Sequence, residues 1–217
     1  MTERDQTSSR RAFLERGALA AGLLAIGTLA LPTLPAQALT LGGGDERALR
    51  FLLRLQTLQD LYFARALSGA TLDGLREGEA SLLNLIGQQD GEQRRWCETA
   101  LSRFGGSVST LPSTRPGGFP RQLIRVGNLT TRDALMRDAL SLKRTASGAW
   151  LGAAQRAGNP QLVSAFAALA GVQNRHRTMI AHLLGGDATF VPAPALSQGA
   201  AARALGRYRF SLEETPA

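Results

Sequence analysis

From residue 45 onward, apolar residues recur with helical spacing in four separate runs, and the alternation expected of strands is nearly absent. The first run, about 45–67, aligns Leu49, Leu52, Leu53, Gln56, Gln59, Phe63 and Ala66 on one stripe before Ser68-Gly69 stops it. A second, about 72–104, carries Leu75, Leu82, Leu85, Gln89, Glu92, Trp96 and Ala100 and ends at Gly105-Gly106. Gly74, Gly78, Gly87 and Gly91 weaken it, since each costs about 1 kcal/mol against alanine inside a helix. The third opens at Thr130 or Thr131, either of which can cap it, and presents Met136, Ala139, Leu140, Lys143, Ala146, Trp150 and Ala153. Asn159-Pro160, a cap followed by proline at the first helical position, starts the fourth. Its stripe is Leu162, Phe166, Leu169, Gln173, His176, Ile180 and Leu183, and Gly185-Gly186 closes it.

The connections set the topology. The first and second runs are joined by a tight link, as are the third and fourth. Residues 105–129 between the two hairpins form a long Gly/Pro/Ser/Thr connection containing Pro112, Pro116 and Pro120. Two hairpins joined by one long crossover predict an all-α four-helix bundle over residues 45–186. Residues 39–44, with Gly42-Gly43-Gly44, read as a flexible linker. Residues 187–217 form a short proline-punctuated tail with a helix expected around 199–207.

The first 38 residues have a different logic. Ser9-Arg10-Arg11-Ala12-Phe13-Leu14 has the twin-arginine pattern, an arginine pair followed by an aromatic and an aliphatic residue. An apolar run of 15 residues follows at 17–31, then Pro32, Pro35 and a small-x-small cleavage site at Ala36-Gln37-Ala38. A spanning helix needs about 20 apolar residues, so cleavage after Ala38 is favoured over retention as an anchor. The expected location is the periplasm or cell envelope, with the twin-arginine translocase as a partner during export.

Charge and composition add exclusions. Of 25 basic and 17 acidic residues, four and three lie in the leader, leaving 21 against 14 and a mature net charge of +7. Lys143 is the single lysine; the other basic residues are arginines, scattered without dense runs or interleaved aromatics, which argues against nucleic acid and does not favour membrane docking. Cys97 stands alone, so neither an internal disulfide nor a cysteine-based metal site can form.

Each apolar stripe is interrupted near its middle by polar groups: Gln56, Glu92, Lys143, and Gln173 with His176. A buried polar group costs about 1–3 kcal/mol unless partnered, so coincident interruptions are expected to meet one another. Trp96 and Trp150 read as core packing, and His182 as a surface or capping group.

These features resemble the ferritin-like family of exported bacterial proteins that includes plant desiccation-related proteins, over about residues 45–210. Leu55-Gln56-Thr57-Leu58-Gln59-Asp60-Leu61-Tyr62-Phe63 stands where members carry a leucine-glutamate-aromatic-leucine-glutamate run. Glu92-Gln93-Arg94-Arg95 and Gln173-Asn174-Arg175-His176 stand at two glutamate-x-x-histidine motifs, and Lys143 replaces a glutamate in an alanine-leucine setting. The resemblance implies six positions that elsewhere hold two iron or manganese ions: Gln56, Glu92, Arg95, Lys143, Gln173 and His176. Of these only Glu92 and His176 keep ligand chemistry. A dinuclear site draws on about four carboxylates, so the expectation is a degenerate site with no cofactor and Glu92 ion-paired to Lys143 or Arg95. His176 reads as a hydrogen-bonded core histidine. The expected role is a non-catalytic structural, stress-related or partner-binding envelope protein, with the partner and any homo-oligomer left open. The alternative is a metal-binding protein or oxidase with an atypical iron or manganese site at Glu92 and His176.

Overall fold

The helices begin and end where short-range hydrogen bonding dictates. The structure, a computed structural model, describes residues 41–67, 74–76, 78–104, 129, 131–186 and 193–208, all within the compact unit Leu39–Ala217. The leader at 1–38, Ser68-Gly69, Gly105-Gly106 and nearly all of the expected crossover lie outside these residues. The elements are α1 (Gly43–Ala66), α2 (Glu79–Arg103), α3 (Arg132–Arg156), α4 (Pro160–Leu183) and α5 (Gln198–Leu205), followed by a 3₁₀ turn at Gly206–Tyr208. No strand occurs among the described residues.

Thr131 caps α3, its hydroxyl accepting from Ala134 N–H at 3.2 Å, and Asn159 caps α4 by accepting from Gln161 and Leu162 N–H at 2.9 and 3.3 Å. Past α4, Gly185 adopts φ +78°. Its N–H bonds His182 O at 2.9 Å, and Gly186 N–H bonds Ala181 O at 3.0 Å, which is the Schellman closure. The expected start of α2 at 72 needs correction. The helix begins at Glu79, because Gly78 sits at φ +85°, a left-handed conformation that a helix interior cannot accommodate.

Cross-helix contacts fix the directions. Along α1, Gln56, Asp60 and Phe63 meet Gln93, Gly91 and Gly87 of α2 in reverse order, so the pair is antiparallel. Arg132, Lys143 and Ser147 of α3 meet Leu183, Gln173 and Ala170 of α4, again antiparallel. Glu79, Asp90 and Trp96 of α2 meet Arg132, Lys143 and Trp150 of α3, so these two run parallel. The chain between Arg103 and Arg132 therefore joins opposite ends of the bundle, a distance of about 37 Å for a 25-residue helix. This is the one-crossover topology.

Buried charges tie the two ends of the bundle. At one, Glu79 takes Arg132 Nη2 at 2.6 Å and Nε at 2.9 Å, while the same Nη2 donates to Leu183 O at 2.6 Å. At the other, the Asp45 carboxylate accepts the N–H groups of Gly158 and Asn159 at 2.9 and 3.0 Å, which locks the start of α1 to the α3–α4 turn.

The C-terminal segment lies along the outside of α3. Leu196 N–H donates to Gly148 O at 2.8 Å, and Arg156 Nη2 donates to Leu196 O at 3.1 Å. A Cβ at Gly152 would lie 2.0 Å from Leu196 O, and one at Gly148 would lie 2.6 Å from Pro194 O. Farther along, the hydroxyl of buried Tyr208 donates to Asp138 Oδ2 at 3.1 Å, and its ring meets Tyr62 edge-on at 5.8 Å.

Candidate functional site

Three of the four bundle helices turn a pair of polar side chains, three residues apart, into the interior. These are Gln56 and Gln59 on α1, Asp90 and Gln93 on α2, and Gln173 and His176 on α4; α3 contributes Lys143 alone. All seven are buried, and Gln56, Gln59, Asp90, Lys143 and Gln173 are fully so. An i, i+3 spacing puts both members of a pair on one helix face.

Lys143 is the hub. Its Nζ donates to Asp90 Oδ2, to Gln59 Oε1 at 2.8 Å and to Gln173 Oε1 at 3.2 Å. An ammonium has three hydrogens, and here each has an acceptor on a different helix. The Phe63 ring faces the same nitrogen with its centroid 5.0 Å away. The amides complete a circuit. Gln59 Nε2 donates to Gln56 Oε1 at 3.1 Å, Gln56 Nε2 to Gln93 Oε1 at 3.1 Å, and Gln173 Nε2 to both Gln93 Oε1 at 2.8 Å and Asp90 Oδ1 at 3.0 Å. Because each of these donors is engaged, the oxygens of Gln59 and Gln173 are held towards Nζ.

Burial dominates the acid–base character of the centre. It pushes the Lys143 ammonium down to about 8, against the opposing attraction of Asp90. Burial likewise raises Asp90, opposed by Lys143 and by the Lys143 and Gln173 hydrogen bonds. His176 is held well below its ordinary 6.5, first by burial and then by the charges of Lys143 and Arg175. Its Nε2 lies 2.5 Å from Gln89 Oε1, which can only accept, so Nε2 carries the hydrogen. The bare Nδ1 stands 3.9 Å from Asp90 Oδ1 without a hydrogen bond.

Gln56, Lys143, Gln173 and His176 thus come together as expected, but Glu92 and Arg95 do not. Both are more than half exposed and pair with each other across one turn of α2, so Glu92 is partner to Arg95 and not to Lys143. This also removes the alternative site built on Glu92 and His176, since one lies on the surface and the other in the core. The correction is one of helix rotation. The buried face of α2 is Leu83, Ile86, Asp90, Gln93, Cys97 and Leu101, about 100° from the stripe through Leu82, Leu85 and Glu92. Apolar residues flank both faces, so periodicity alone admits either. The glycines break the tie: a Cβ at Gly87 would lie 3.0 Å from Phe63 Cβ, so Gly87 marks where α2 presses on α1.

The chain matches the ferritin-like domain family over residues 44–186. It belongs to that family. No curated protein matches the chain. Ferritin-like folds build two-metal sites from a glutamate on each of two helices and a glutamate-x-x-histidine on each of the other two. This family member places side chains at those levels, but their chemistry does not fit two divalent ions. Asp90 is the one carboxylate in the centre, Gln93 stands three residues after it where a histidine would be, and the Lys143 ammonium holds the middle. Among the described residues no three His, Cys, Asp or Glu side chains group closely enough to hold a metal. Asp90 and Gln93 are the missed members, and Gln59 lies on the expected stripe of α1 without being counted as a site position; all three share one sequence signal, the repeated i, i+3 spacing of polar residues. Trp96, Trp150 and Phe166 pack as an aromatic cluster with ring centroids 5.6–6.3 Å apart. Burial raises the Cys97 thiol above its ordinary range, which makes it a poor nucleophile.

Proposed function

We propose that this chain is an exported ferritin-like protein of the cell envelope whose bundle holds a buried ammonium in place of a metal centre. Its role is then structural, stress-related or partner-binding rather than catalytic. One observation carries the reading: all three hydrogens of Lys143 are taken by Gln59, Asp90 and Gln173 inside the bundle. A metal ion there would face the Lys143 ammonium and the single carboxylate of Asp90, too little negative charge to balance two divalent ions. Export is supported by Arg10-Arg11, the 15-residue apolar run and the Ala36-Gln37-Ala38 cleavage site. No described helix is long and apolar enough to cross a membrane. The test is elemental analysis and intact-mass measurement on protein purified from the envelope fraction. The reading expects a chain beginning at Leu39 with iron and manganese far below one equivalent. Two equivalents surviving chelator dialysis refute the metal-free part, and a full-length membrane-retained chain refutes the export part.

A further inference from the structure

The surroundings of Lys143 Nζ have the make-up of a receptor for a primary ammonium. Gln59, Asp90 and Gln173 supply three oxygens from α1, α2 and α4, and Phe63 supplies an aromatic face 5.0 Å away. The formal charge of this cage is −1, from Asp90, which balances one monovalent cation. Divalent ions of the hard type take six or more oxygen ligands, and this buried cage turns three to its centre. The amide oxygens are fixed by the circuit of hydrogen bonds through Gln56 and Gln93, so the cage is braced from behind by two residues that do not touch the ammonium. Lysine is also the one cationic side chain that delivers three hydrogens from a single atom; a planar guanidinium brings five and would leave donors stranded. The chain uses lysine once, here, and arginine at its other basic positions.

We propose that the centre of the bundle is an ammonium-recognition site, self-occupied by Lys143, that takes a small primary alkylammonium when that side chain is removed. The inference rests on the metal-free reading above and deepens it by naming the class of cation the site selects.

Lys143→Ala deletes three carbons and the nitrogen, the size of n-propylammonium. The variant should melt below the wild type, and n-propylammonium chloride should raise its melting temperature with the logarithm of concentration. Tetramethylammonium chloride, which has no N–H, and potassium chloride at equal ionic strength should not. Asp90→Asn in the same background should abolish the rescue. An equal response to all three salts overturns the proposal, as does stoichiometric Mn²⁺ binding by the variant. If Lys143→Ala does not fold, wild-type protein labelled at the lysine side-chain nitrogen decides, because its single lysine gives a single signal. A three-hydrogen ammonium in slow exchange with solvent supports the site, and a neutral amine or a rapidly exchanging one overturns it. Metal bound by the variant alone defeats this proposal and leaves the function reading intact, whereas metal in the wild type defeats that reading first.

Discussion

Lys143 of α3 and Asp90 of α2, 53 residues apart in sequence, form an ion pair from which solvent is wholly excluded. Removing one partner leaves the other charge buried, so Lys143→Met should lower stability by about 3–5 kcal/mol. Asp90→Asn in that background should restore part of the loss, since it neutralises the stranded carboxylate. Denaturant titration of the four proteins closes the cycle, and strictly additive effects would show that the two side chains are not coupled. Glu92→Gln, at the exposed pair with Arg95, should change stability by no more than about 0.5 kcal/mol.

The same centre makes stability depend on pH in two windows. His176 is neutral in the folded chain and its pKa is depressed, so below about 6.5 the unfolded chain binds more protons. Stability should therefore fall as pH drops through that value, more steeply in the wild type than in His176→Asn. Lys143 titrates near 8 when folded and near 10.5 when unfolded, so its contribution should become more favourable as pH rises across that interval. The groups facing it are Asp90, the amides of Gln59 and Gln173, and neutral His176. Thermal melts from pH 5 to 10 check the acid window through the difference between wild type and His176→Asn, and the alkaline window through that between wild type and Lys143→Met; a flat difference in either contradicts the corresponding assignment.

Gly152 is the tightest point between α3 and the C-terminal segment. A methyl group there would lie 2.0 Å from Leu196 O, so Gly152→Ala must push the segment off the helix. The expected cost is about 1–3 kcal/mol, with faster proteolytic release of the C-terminal residues. Unchanged melting and cleavage rates would mean that the segment does not dock as described.

How far the sequence could be read depended on how many faces of a helix are apolar. On α1 the expected stripe from Leu49 to Ala66 is buried throughout, and on α4 Leu162, Phe166, Leu169, Gln173, His176 and Ile180 turn inward as their period requires. On α2 the paired residues Leu82-Leu83 and Leu85-Ile86 support two registers equally, and the wrong one hid Asp90 while promoting Glu92. Local signals cannot choose between them, because the choice is made by the contact of Gly87 with Phe63 on α1. The ties at the ends of the bundle were illegible for a similar reason. Asp45 and Gly158 are 113 residues apart and Glu79 and Arg132 are 53, and neither pair belongs to a motif. Gly148 and Gly152 carry no local signal of their role, since the C-terminal segment that seats on them is more than 40 residues farther along the chain.

Anomalous diffraction distinguishes an ammonium in the bundle centre from a two-metal centre. Crystals of the mature protein grown in millimolar Mn²⁺, measured on both sides of the manganese edge, should show no anomalous peak between α1, α2, α3 and α4. Lys143 Nζ should remain within hydrogen-bonding distance of Gln59, Asp90 and Gln173. Two peaks about 3.5–4 Å apart near Asp90 and His176, with Lys143 swung aside, would contradict it.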